Sequence, residues 1–407
     1  MEKPSTQAEF YSNLESLRSS FALLKPELEV TIRDPSIDLE GFVVVWNTGI
    51  SKDGPLPYCG KGGTRIRDGL SLDEVKMLAR KMSVKNAAAG LPLGGSKSGI
   101  NADPRAPGFE QKYRRFVELC KPLLHENGGI FGGFGFDIGA APEHAVWVCE
   151  TLGSTKSFTG KPIEMGGTDY DKEGIAGLGV AESAATIIPI HGGDLKTTRF
   201  AVHGVGAMGA AVIRYFSEYG AQLGSIGDPK YGGTWRFENP PSTTLIDALI
   251  HQQVDKVKEL LPEQGTLISD NSDEVLFEPS EVLFPCALQS VITADNVERI
   301  QARYIIEGAN NPCEFAAYPL LLQKGVHLIP DFIANSGGII SAFIELTSDI
   351  DIDENVRTRA KVEQAKSYTR TKIRDNVERI ESCSQNFNVP FRDASLYVAL
   401  NNILHAG

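Results

Sequence analysis

The sequence predicts an α/β protein of two domains, the second built on a doubly wound parallel sheet. Its 407 residues exceed the usual length of one domain, and 42% apolar with 23% charged residues is typical of a globular chain with a large core. From Thr198 onward, short apolar segments alternate with helical segments, which indicates parallel strands joined by right-handed crossovers. We therefore expect a first domain over 1–182, to which 340–407 return, and a second domain over 183–339.

The charge and the distribution of apolar residues exclude several classes of protein. A net charge of -12 without basic clusters argues against nucleic-acid binding. No run reaches 18 apolar residues, and the N-terminal MEKPSTQAEF lacks the apolar centre of a signal peptide, so we expect a cytoplasmic protein that does not engage membranes. The six cysteines form no C-x-x-C pair and the seven histidines show no H-x-x-x-H spacing, so the sequence predicts reduced cysteines and no metal site.

The first domain is expected to combine helices with an extended segment. Apolar residues at helical spacing predict a helix over 8–24, and GFVVVWNTG predicts a strand after it. Ser71, with Glu74 three residues later, predicts the start of a second helix. A further helix is expected over 110–125, and a glycine-rich loop then leads to Asp137.

The second domain is expected to follow a helix of small residues around 174–190. A strand, a glycine turn and a helix are predicted from 199, and the next strand ends at Asp228. Further strands are predicted at GTLIS, EVLFPCA, ARYIIEGAN and GVHLIPD, and charged helices occupy the remainder after 340.

The stretch KNAAAGLPLGGSKSGI (85–100) places two lysines around five residues of Gly or Pro. Small residues allow the backbone to approach a ligand closely. A poorly solvated lysine has a lowered pKa, so it can exchange protons near neutral pH. The same composition also fits a Gly-Pro loop with two surface lysines.

A glycine motif after an apolar strand indicates a dinucleotide site, because it also opens a helix. The second glycine admits a pyrophosphate, and the helix amides face that anion. Asp228 lies 24 residues after Gly204, where a carboxylate binds the adenosine ribose hydroxyls and repels a 2′-phosphate. NAD is therefore the expected cofactor, and Lys230 leaves NADP open. The motif consists of Gly204, Val205, Gly206, Ala207, Met208 and Gly209.

Several blocks, in order over nearly the whole chain, resemble the glutamate/leucine/phenylalanine/valine dehydrogenase family. The resemblance implies an N-terminal α/β substrate-binding and oligomerisation domain and a Rossmann-type dinucleotide domain. It implies NAD(P)-dependent oxidative deamination of an L-amino acid to a 2-oxo acid and ammonia, its reverse, and a homo-oligomer of six or eight chains. The blocks are KGGTR (61–65), KNAAAGLPLGGSKSGI (85–100), the Asp137 loop, TGKP (159–162), HGVGAMG (203–209), PCAL (285–288), EGANNP (307–312) and PDFIANSGGI (330–339).

The resemblance also implies roles for matched residues. Lys97 would polarise a carbonyl or activate water, and Asp137 would carry a proton to or from the nitrogen. Lys85 would hold the substrate α-carboxylate through a charge-assisted hydrogen bond. The remaining cofactor contacts would come from Ala287, Asn310 and Asn335.

Two matched positions disagree about the substrate. Lys61 stands where glutamate-using members carry a lysine for the side-chain carboxylate, which favours a glutamate-like substrate. Ala342 stands where those members carry a serine, which favours an apolar branched-chain or aromatic amino acid, although Ser341 is adjacent.

The sequence also departs from the family at two other places. Glycines replace the Pro-Ala-Pro before Asp137 and predict a looser loop, and Ala176 replaces a threonine near the nicotinamide region. A non-catalytic relative that binds the cofactor is the other hypothesis. Retention of Lys97 together with Asp137 favours an enzyme, because a binding module has no need of a proton-handling pair.

Overall fold

The computed structural model describes residues 4–348 and 354–405. It contains both helices and strands, as the sequence predicts for an α/β fold. The helices are α1 (Gln7–Leu23), α2 (Leu72–Ala88), α3 (Phe109–Cys120), α4 (Glu143–Leu152), α5 (Ile175–Ile190), α6 (Ala207–Glu218), α7 (Thr243–Ile250), α8 (Val254–Gln264), α9 (Ala317–Gln323), α10 (Asp331–Ala334), α11 (Gly337–Thr347), α12 (Glu354–Phe387) and α13 (Phe391–Leu404). The strands are β1 (Leu28–Asp34), β2 (Leu39–Asn47), β3 (Gly60–Lys61), β4 (Thr64–Arg67), β5 (Gly94–Asn101), β6 (Phe134–Gly135), β7 (Phe158–Thr159), β8 (Arg199–His203), β9 (Gln222–Asp228), β10 (Gly233–Arg236), β11 (Thr266–Ser269), β12 (Val282–Pro285), β13 (Tyr304–Ile306) and β14 (His327–Ile329).

The chain folds into two compact units. The first comprises Met1–Tyr170, Ile339–Ala365 and Leu396–Gly407, and the second comprises Asp171–Gly338 and Lys366–Ser395. The expected boundary at 182 falls inside α5, and residues 366–395, expected in the first domain, belong to the second unit. Residues 366–395 contact the second unit through ion pairs: Arg370 and Arg374 of α12 both pair with the buried Glu182 of α5.

The first unit is built on a mixed sheet with β5 in its centre. Strands β1, β2, β5 and β3 lie in that order, and β4 also pairs with β5. Helix α2 covers β5 so closely that a Cβ on Gly95 would overlap the backbone of Ser83. Ser71 caps α2 as predicted, with its Oγ accepting from the N–H of Glu74 at 3.3 Å. The lysine-bearing stretch is therefore a helix end followed by a central strand.

The glycine-rich segment before Asp137 is anchored by aromatic side chains. Phe131 and Phe134 are fully buried in the core of the first unit, and Phe136 packs edge-on against Phe158. Strand β6 pairs in parallel with β7. Buried rings therefore anchor the segment in which the glycines predict a looser loop.

The second unit contains a seven-stranded sheet among the described residues, in the order β11-β10-β9-β8-β12-β13-β14. The pairs β9–β8, β8–β12, β12–β13 and β13–β14 are parallel, as the alternating pattern predicts. Strand β10 differs from the predicted parallel arrangement, because it runs antiparallel to both β9 and β11. The predicted fold class is confirmed. Nowhere in 4–348 or 354–405 is there a helix long and apolar enough to cross a membrane.

Candidate active site

An ion pair joins the buried Lys97 of β5 to the partly buried Asp137. The Nζ of Lys97 lies 2.8 Å from Oδ2 of Asp137. Burial lowers the pKa of Lys97, and the neighbouring carboxylate opposes that change. Burial alone would raise the pKa of Asp137, but the charges and hydrogen bonds of Lys97 and Arg65 hold it below its usual range. The pair therefore combines an ionised carboxylate with an amine whose proton is held less tightly than usual.

Arg65 of β4 fixes the direction of the Asp137 carboxylate. Its Nε donates to Oδ2 at 3.0 Å and its Nη2 to Oδ1 at 3.4 Å, while its Nη1 contacts Glu74 Oε1 at 3.3 Å. A guanidinium that spans both oxygens leaves the carboxylate little freedom to rotate. Asp137 does not cap α4, which begins after Pro142. Arg65 lies in the KGGTR block, but the sequence analysis did not single it out.

Lys61 of β3 is enclosed by protein, with 1% of its surface exposed. Its Nζ donates to the carbonyl oxygens of Gly133 at 3.0 Å and Phe134 at 2.5 Å. Burial lowers the pKa of Lys61 to about 7; the charges of Lys161 and Lys97 act in the same direction, and Glu345 opposes them. Near neutral pH, Lys61 is therefore present in both its charged and its neutral form.

Glu345 of α11 is the acceptor in a buried network that the sequence analysis missed. Its Oε2 accepts from Lys161 Nζ at 3.1 Å and from the Gly160 N–H at 3.0 Å. Its Oε1 accepts from the N–H and the hydroxyl of Thr168, at 2.7 and 2.6 Å. Glu345 is the single charged residue of α11, and that isolation is the signal that could have revealed it.

The two residues in question for the substrate side chain lie on α11. Ala342 is buried, and its methyl side chain offers no hydroxyl to a substrate. The Oγ of Ser341 donates to Thr168 Oγ1 at 2.8 Å and so belongs to the network around Glu345. If Ser341 is the position that matches the family serine, its hydroxyl is engaged with Thr168 in this structure.

Lys85 lies in the last turn of α2, with a half-buried side chain. A cation in this turn interacts favourably with the negative end of the helix dipole. Lys81, one turn earlier, is exposed. The two lysines of the stretch thus stand on different elements, Lys85 on a helix and Lys97 on the strand that follows it.

The glycine motif forms the predicted turn between β8 and α6 in the second unit. Gly204 has a φ of 84°, and a Cβ there would lie 2.5 Å from the Cβ of Ala287. A Cβ on Gly206 would meet no described atom within 4 Å, and no side chain caps the start of α6. This open space before free helix amides fits a pyrophosphate. Val205 completes the turn, and Ala207, Met208 and Gly209 form the first turn of α6.

The carboxylate of Asp228 at the end of β9 is bonded to this turn. Its Oδ2 accepts from the N–H of Val205 at 2.7 Å, and its Oδ1 accepts from the N–H of Lys230 at 2.8 Å. The amine of Lys230 lies 3.8 Å from Oδ2 and donates to the Val205 carbonyl oxygen at 2.9 Å. Asp228 is thus held in a fixed direction beside a cation.

The other expected cofactor residues also belong to the second unit. Asn335 donates through Nδ2 to Asn310 Oδ1 at 3.0 Å and to the Gly308 carbonyl oxygen at 3.1 Å. Ala287 borders Gly204, as described above. The second unit thus holds two hydrogen-bonded groups of expected cofactor residues. One is the glycine turn with Asp228, and the other is Asn310 with Asn335.

Comparison with known proteins supplies the family. The family model described as Glutamate/Leucine/Phenylalanine/Valine dehydrogenase matches residues 166–407, and the model for the Glu/Leu/Phe/Val dehydrogenase dimerisation domain matches residues 29–153. The chain belongs to this dehydrogenase family. The predicted NAD(P)-dependent amino-acid dehydrogenase is thereby confirmed at the level of the family.

Relatives with known names agree with this assignment. The NADP(+)-dependent glutamate dehydrogenase of Pyrobaculum calidifontis is 29% identical over 378 residues, which cover 90% of this chain and 85% of the relative. The glutamate dehydrogenase of Aeropyrum pernix is 32% identical over 299 residues, 71% of this chain and 68% of the relative. Both of these family members act on glutamate by name.

Solved structures share the fold. The hetero-hexameric glutamate dehydrogenase of Thermus thermophilus in a Leu-bound form has a TM-score of 0.75 at 23% identity, covering 100% of this chain and 98% of that chain. The L-tryptophan dehydrogenase of Nostoc punctiforme has a TM-score of 0.67 at 21% identity, covering 96% of this chain and 98% of that chain. Enzymes for acidic and for aromatic amino acids therefore share this fold.

Proposed function

We propose that this dehydrogenase deaminates an amino acid with an acidic side chain, glutamate first, and prefers NAD. The observation that carries the proposal is the contact between the buried Lys97 and the partly buried Asp137, with 2.8 Å between amine and carboxylate. Oxidative deamination has to move a proton at nitrogen and activate one water. A partly exposed carboxylate held in contact with a buried amine of lowered pKa is suited to both steps.

The proton steps follow from the two side chains. A dinucleotide held by the glycine turn at Gly204 would supply the acceptor for the hydride that leaves Cα of the amino acid. Asp137 takes the proton that the amino nitrogen loses as the imine forms. Lys97 in its neutral form then takes one proton from the water that attacks the imine carbon, and Asp137 returns its proton to the nitrogen. As the C–N bond breaks and ammonia leaves, Asp137 accepts the remaining hydroxyl proton and the carbonyl of the 2-oxo acid forms. Arg65 keeps the Asp137 carboxylate in position throughout and is a positioning residue.

Cations supply the recognition of the substrate. Lys85 pairs with the α-carboxylate, and Lys61 pairs with the side-chain carboxylate. Support for the second pairing is the burial of Lys61, because a desolvated amine gains more from a counter-charge than an exposed amine does. In the absence of substrate the amine is held by two carbonyl oxygens.

An apolar amino acid is the second candidate, and one observation favours it. Ala342 offers no hydroxyl, and the hydroxyl of Ser341 is bonded to Thr168. A side-chain carboxylate would then have Lys61 as its sole partner among these positions. A comparison of kcat/KM between acidic and apolar amino acids therefore decides between the two candidates.

The test is a spectrophotometric screen for amino-acid-dependent reduction of NAD and NADP across the common amino acids. We expect the highest kcat/KM with glutamate. In Lys61→Met we expect that preference to fall by about 10–100-fold, because the charged partner is lost. Lys52→Met removes an exposed lysine of the same unit and serves as the matched control. A wild-type preference for leucine or phenylalanine establishes the second candidate.

Absence of turnover with every amino acid, while dinucleotide still binds, would identify a non-catalytic relative. Binding of NAD and NADP is therefore measured by calorimetry on the same preparation. We expect binding and turnover together, because Lys97 and Asp137 are both present and in contact.

We further propose that the chain acts as a homo-oligomer, a hexamer first. The N-terminal match to a dimerisation domain and the hetero-hexameric Thermus thermophilus neighbour support this assembly. Light scattering coupled to size-exclusion chromatography measures the mass in solution. A mass close to six times the 44.1 kDa chain is expected, and a monomer would overturn the proposal.

A further inference from the structure

Three side chains of the types that bind metal ions lie close together in the second unit. None of them is among the residues assigned to the dehydrogenase reaction. His191 follows the end of α5, His327 opens β14, and Glu381 lies on α12. One ligand atom from each of the three lies within 4.8 Å of the others. We call these three residues the His–His–Glu cluster.

One side of the cluster is fully bonded. His191 Nε2 lies 2.9 Å from Glu381 Oε1, and the side-chain amide of Gln385 donates to the same oxygen at 2.9 Å. His191 Nδ1 lies 3.2 Å from the hydroxyl oxygen of Tyr304, whose ring stacks on the imidazole. Both His191 and the Glu381 carboxylate are therefore held in fixed orientations.

The other side of the cluster has two buried atoms without a hydrogen-bond partner. These are His327 Nε2 and Glu381 Oε2, neither of which has a partner in 4–348 or 354–405. The two atoms lie 3.7 Å apart, and the Glu381 side chain is only 6% exposed. This separation is longer than a hydrogen bond. Buried polar atoms normally have partners, so the pair requires an explanation.

A bound metal ion would supply the missing partner of His327 Nε2 and Glu381 Oε2. Imidazole nitrogens and carboxylate oxygens bind Zn²⁺ at about 2.0–2.2 Å, and tetrahedral geometry then places the ligand atoms roughly 3.3–3.5 Å apart. The separations of 2.9 Å and 3.7 Å within the cluster lie on either side of that range. A small movement of the carboxylate would equalise them.

We propose that His191, His327 and Glu381 bind a divalent transition-metal ion of the Zn²⁺ class. His191 Nε2, His327 Nε2 and the Glu381 carboxylate are its protein ligands, and a water completes the tetrahedron. The hydroxyl oxygen of Tyr304 accepts the proton on His191 Nδ1 and so leaves the Nε2 lone pair for the metal. Gln385 orients the carboxylate in the same way.

The metal would connect three separate elements of the second unit. The ligands come from α5, β14 and α12, and their positions at 191, 327 and 381 follow no motif spacing. The expectation of no metal site relied on local His spacing, which cannot detect ligands brought together by folding. None of the residues assigned to substrate or dinucleotide binding belongs to the cluster, so we assign the metal a structural role in the second unit.

The test uses the full-length, tag-free chain after treatment with a chelator. ZnCl₂ is titrated by calorimetry, and bound zinc is measured by elemental analysis after desalting. We expect one Zn²⁺ per chain in the wild type and at least about a 100-fold weaker Kd in His327→Ala and in Glu381→Gln. His251→Ala is the matched control, because His251 is an exposed histidine of the same unit, and it should bind as the wild type does.

Tyr304→Phe keeps the ring and removes the hydroxyl, so it tests the site in a variant that retains the packed side chain. We expect a Kd weakened by about 10–100-fold. We also expect Zn²⁺ to raise the Tm of the wild type, and Mg²⁺, which prefers six oxygen ligands, to leave it unchanged. The proposal is overturned if the wild type binds no Zn²⁺ after chelation. It is also overturned if Tyr304→Phe, Glu381→Gln and His251→Ala all bind Zn²⁺ equally.

Discussion

The Nζ of Lys97 lies 2.8 Å from Oδ2 of Asp137 inside the first unit, where the Lys97 side chain is buried and the Asp137 side chain is partly exposed. The two residues come from a central strand and from a loop anchored by buried phenylalanines. Because both supports are rigid, the pair is preorganised, and the chemistry does not have to bring the two groups together. Each group also changes the proton affinity of the other.

Removal of either member of this pair should abolish turnover. We expect Lys97→Ala and Asp137→Asn each to lower kcat by roughly 10²–10⁴-fold, which is the usual effect of losing a group that transfers protons. Dinucleotide affinity should stay within about twofold of the wild type, because the glycine turn belongs to the second unit. Steady-state kinetics and calorimetry give the two numbers. A variant that retains activity would remove that residue from the mechanism.

Replacement of Arg65 should shift the pH profile. Arg65 lowers the pKa of Asp137 and also lowers the pKa of Lys97. Arg65→Met should therefore raise both pKa values, so the acidic limb and the basic limb of kcat/KM against pH both move to higher pH. A merely structural loss would lower the curve without displacing it. Arg33→Met, which breaks an exposed pair with Glu40, is the matched control.

The charge of Lys61 predicts how substrate preference depends on pH. Its pKa of about 7 means that the charged fraction falls through neutrality and then about tenfold per pH unit. The kcat/KM for the acidic 2-oxo acid, divided by that for an apolar one, should therefore fall between roughly pH 6 and pH 8. The ratio cancels the contributions of Lys97 and Asp137. In Lys61→Met the ratio should be low and flat, and a flat ratio in the wild type would remove Lys61 from side-chain recognition.

Much of the fold was predictable, because strand and helix patterns are local. The strand, glycine turn and helix around Gly204 and the cap at Ser71 were predicted from residues within a few positions of each other. Strand β5 was missed, since its glycines and serines have low strand propensity. The close contact with α2 requires a small residue at Gly95, and that reason becomes visible only after folding.

The site divides in the same way. Lys97 and Asp137 were identified through family blocks, but their partner Arg65 is 72 residues from Asp137 and no periodic pattern links them. Lys161 and Glu345 are 184 residues apart, and His191 and Glu381 are 190 residues apart. Pairings at such separations are created by the fold. A single sequence offers only indirect signals, such as one acid in a helix that has no other charged residue.

Loss of the buried acid in α11 should destabilise the protein strongly. Glu345→Ala leaves the Lys161 ammonium buried without its counter-charge, so we expect a loss of about 3–5 kcal/mol in the free energy of unfolding. Glu150→Ala removes an exposed partner of Arg114 and should cost about 1 kcal/mol at most. Urea unfolding followed by circular dichroism measures both.

A double variant separates charge from packing at this pair. Lys161→Met combined with Glu345→Leu removes both charges, and we expect it to be more stable than Glu345→Ala alone. If Glu345→Ala is as stable as the wild type, the pair contributes nothing, and water reaches Lys161 in the variant.

The preference for NAD should depend on Asp228. Its carboxylate is fixed by the N–H groups of Val205 and Lys230, so it cannot turn away from the ribose position without breaking two hydrogen bonds. A fixed negative charge repels a 2′-phosphate. The amine of Lys230, 3.8 Å away, offsets part of that charge, so we expect the wild type to prefer NAD while still accepting NADP.

Two variants test this balance by the ratio of kcat/KM with NADP to that with NAD. Asp228→Ser removes the charge and keeps a hydroxyl that can accept from the N–H of Lys230, so the ratio should rise by about tenfold or more. Lys230→Met removes the cation and should lower the ratio, because Asp228 then acts without compensation. If the wild type prefers NADP, or if the ratio in Asp228→Ser stays at the wild-type value, another residue sets the preference. In that case the fixed carboxylate serves only to hold the glycine turn, through its bond to the N–H of Val205.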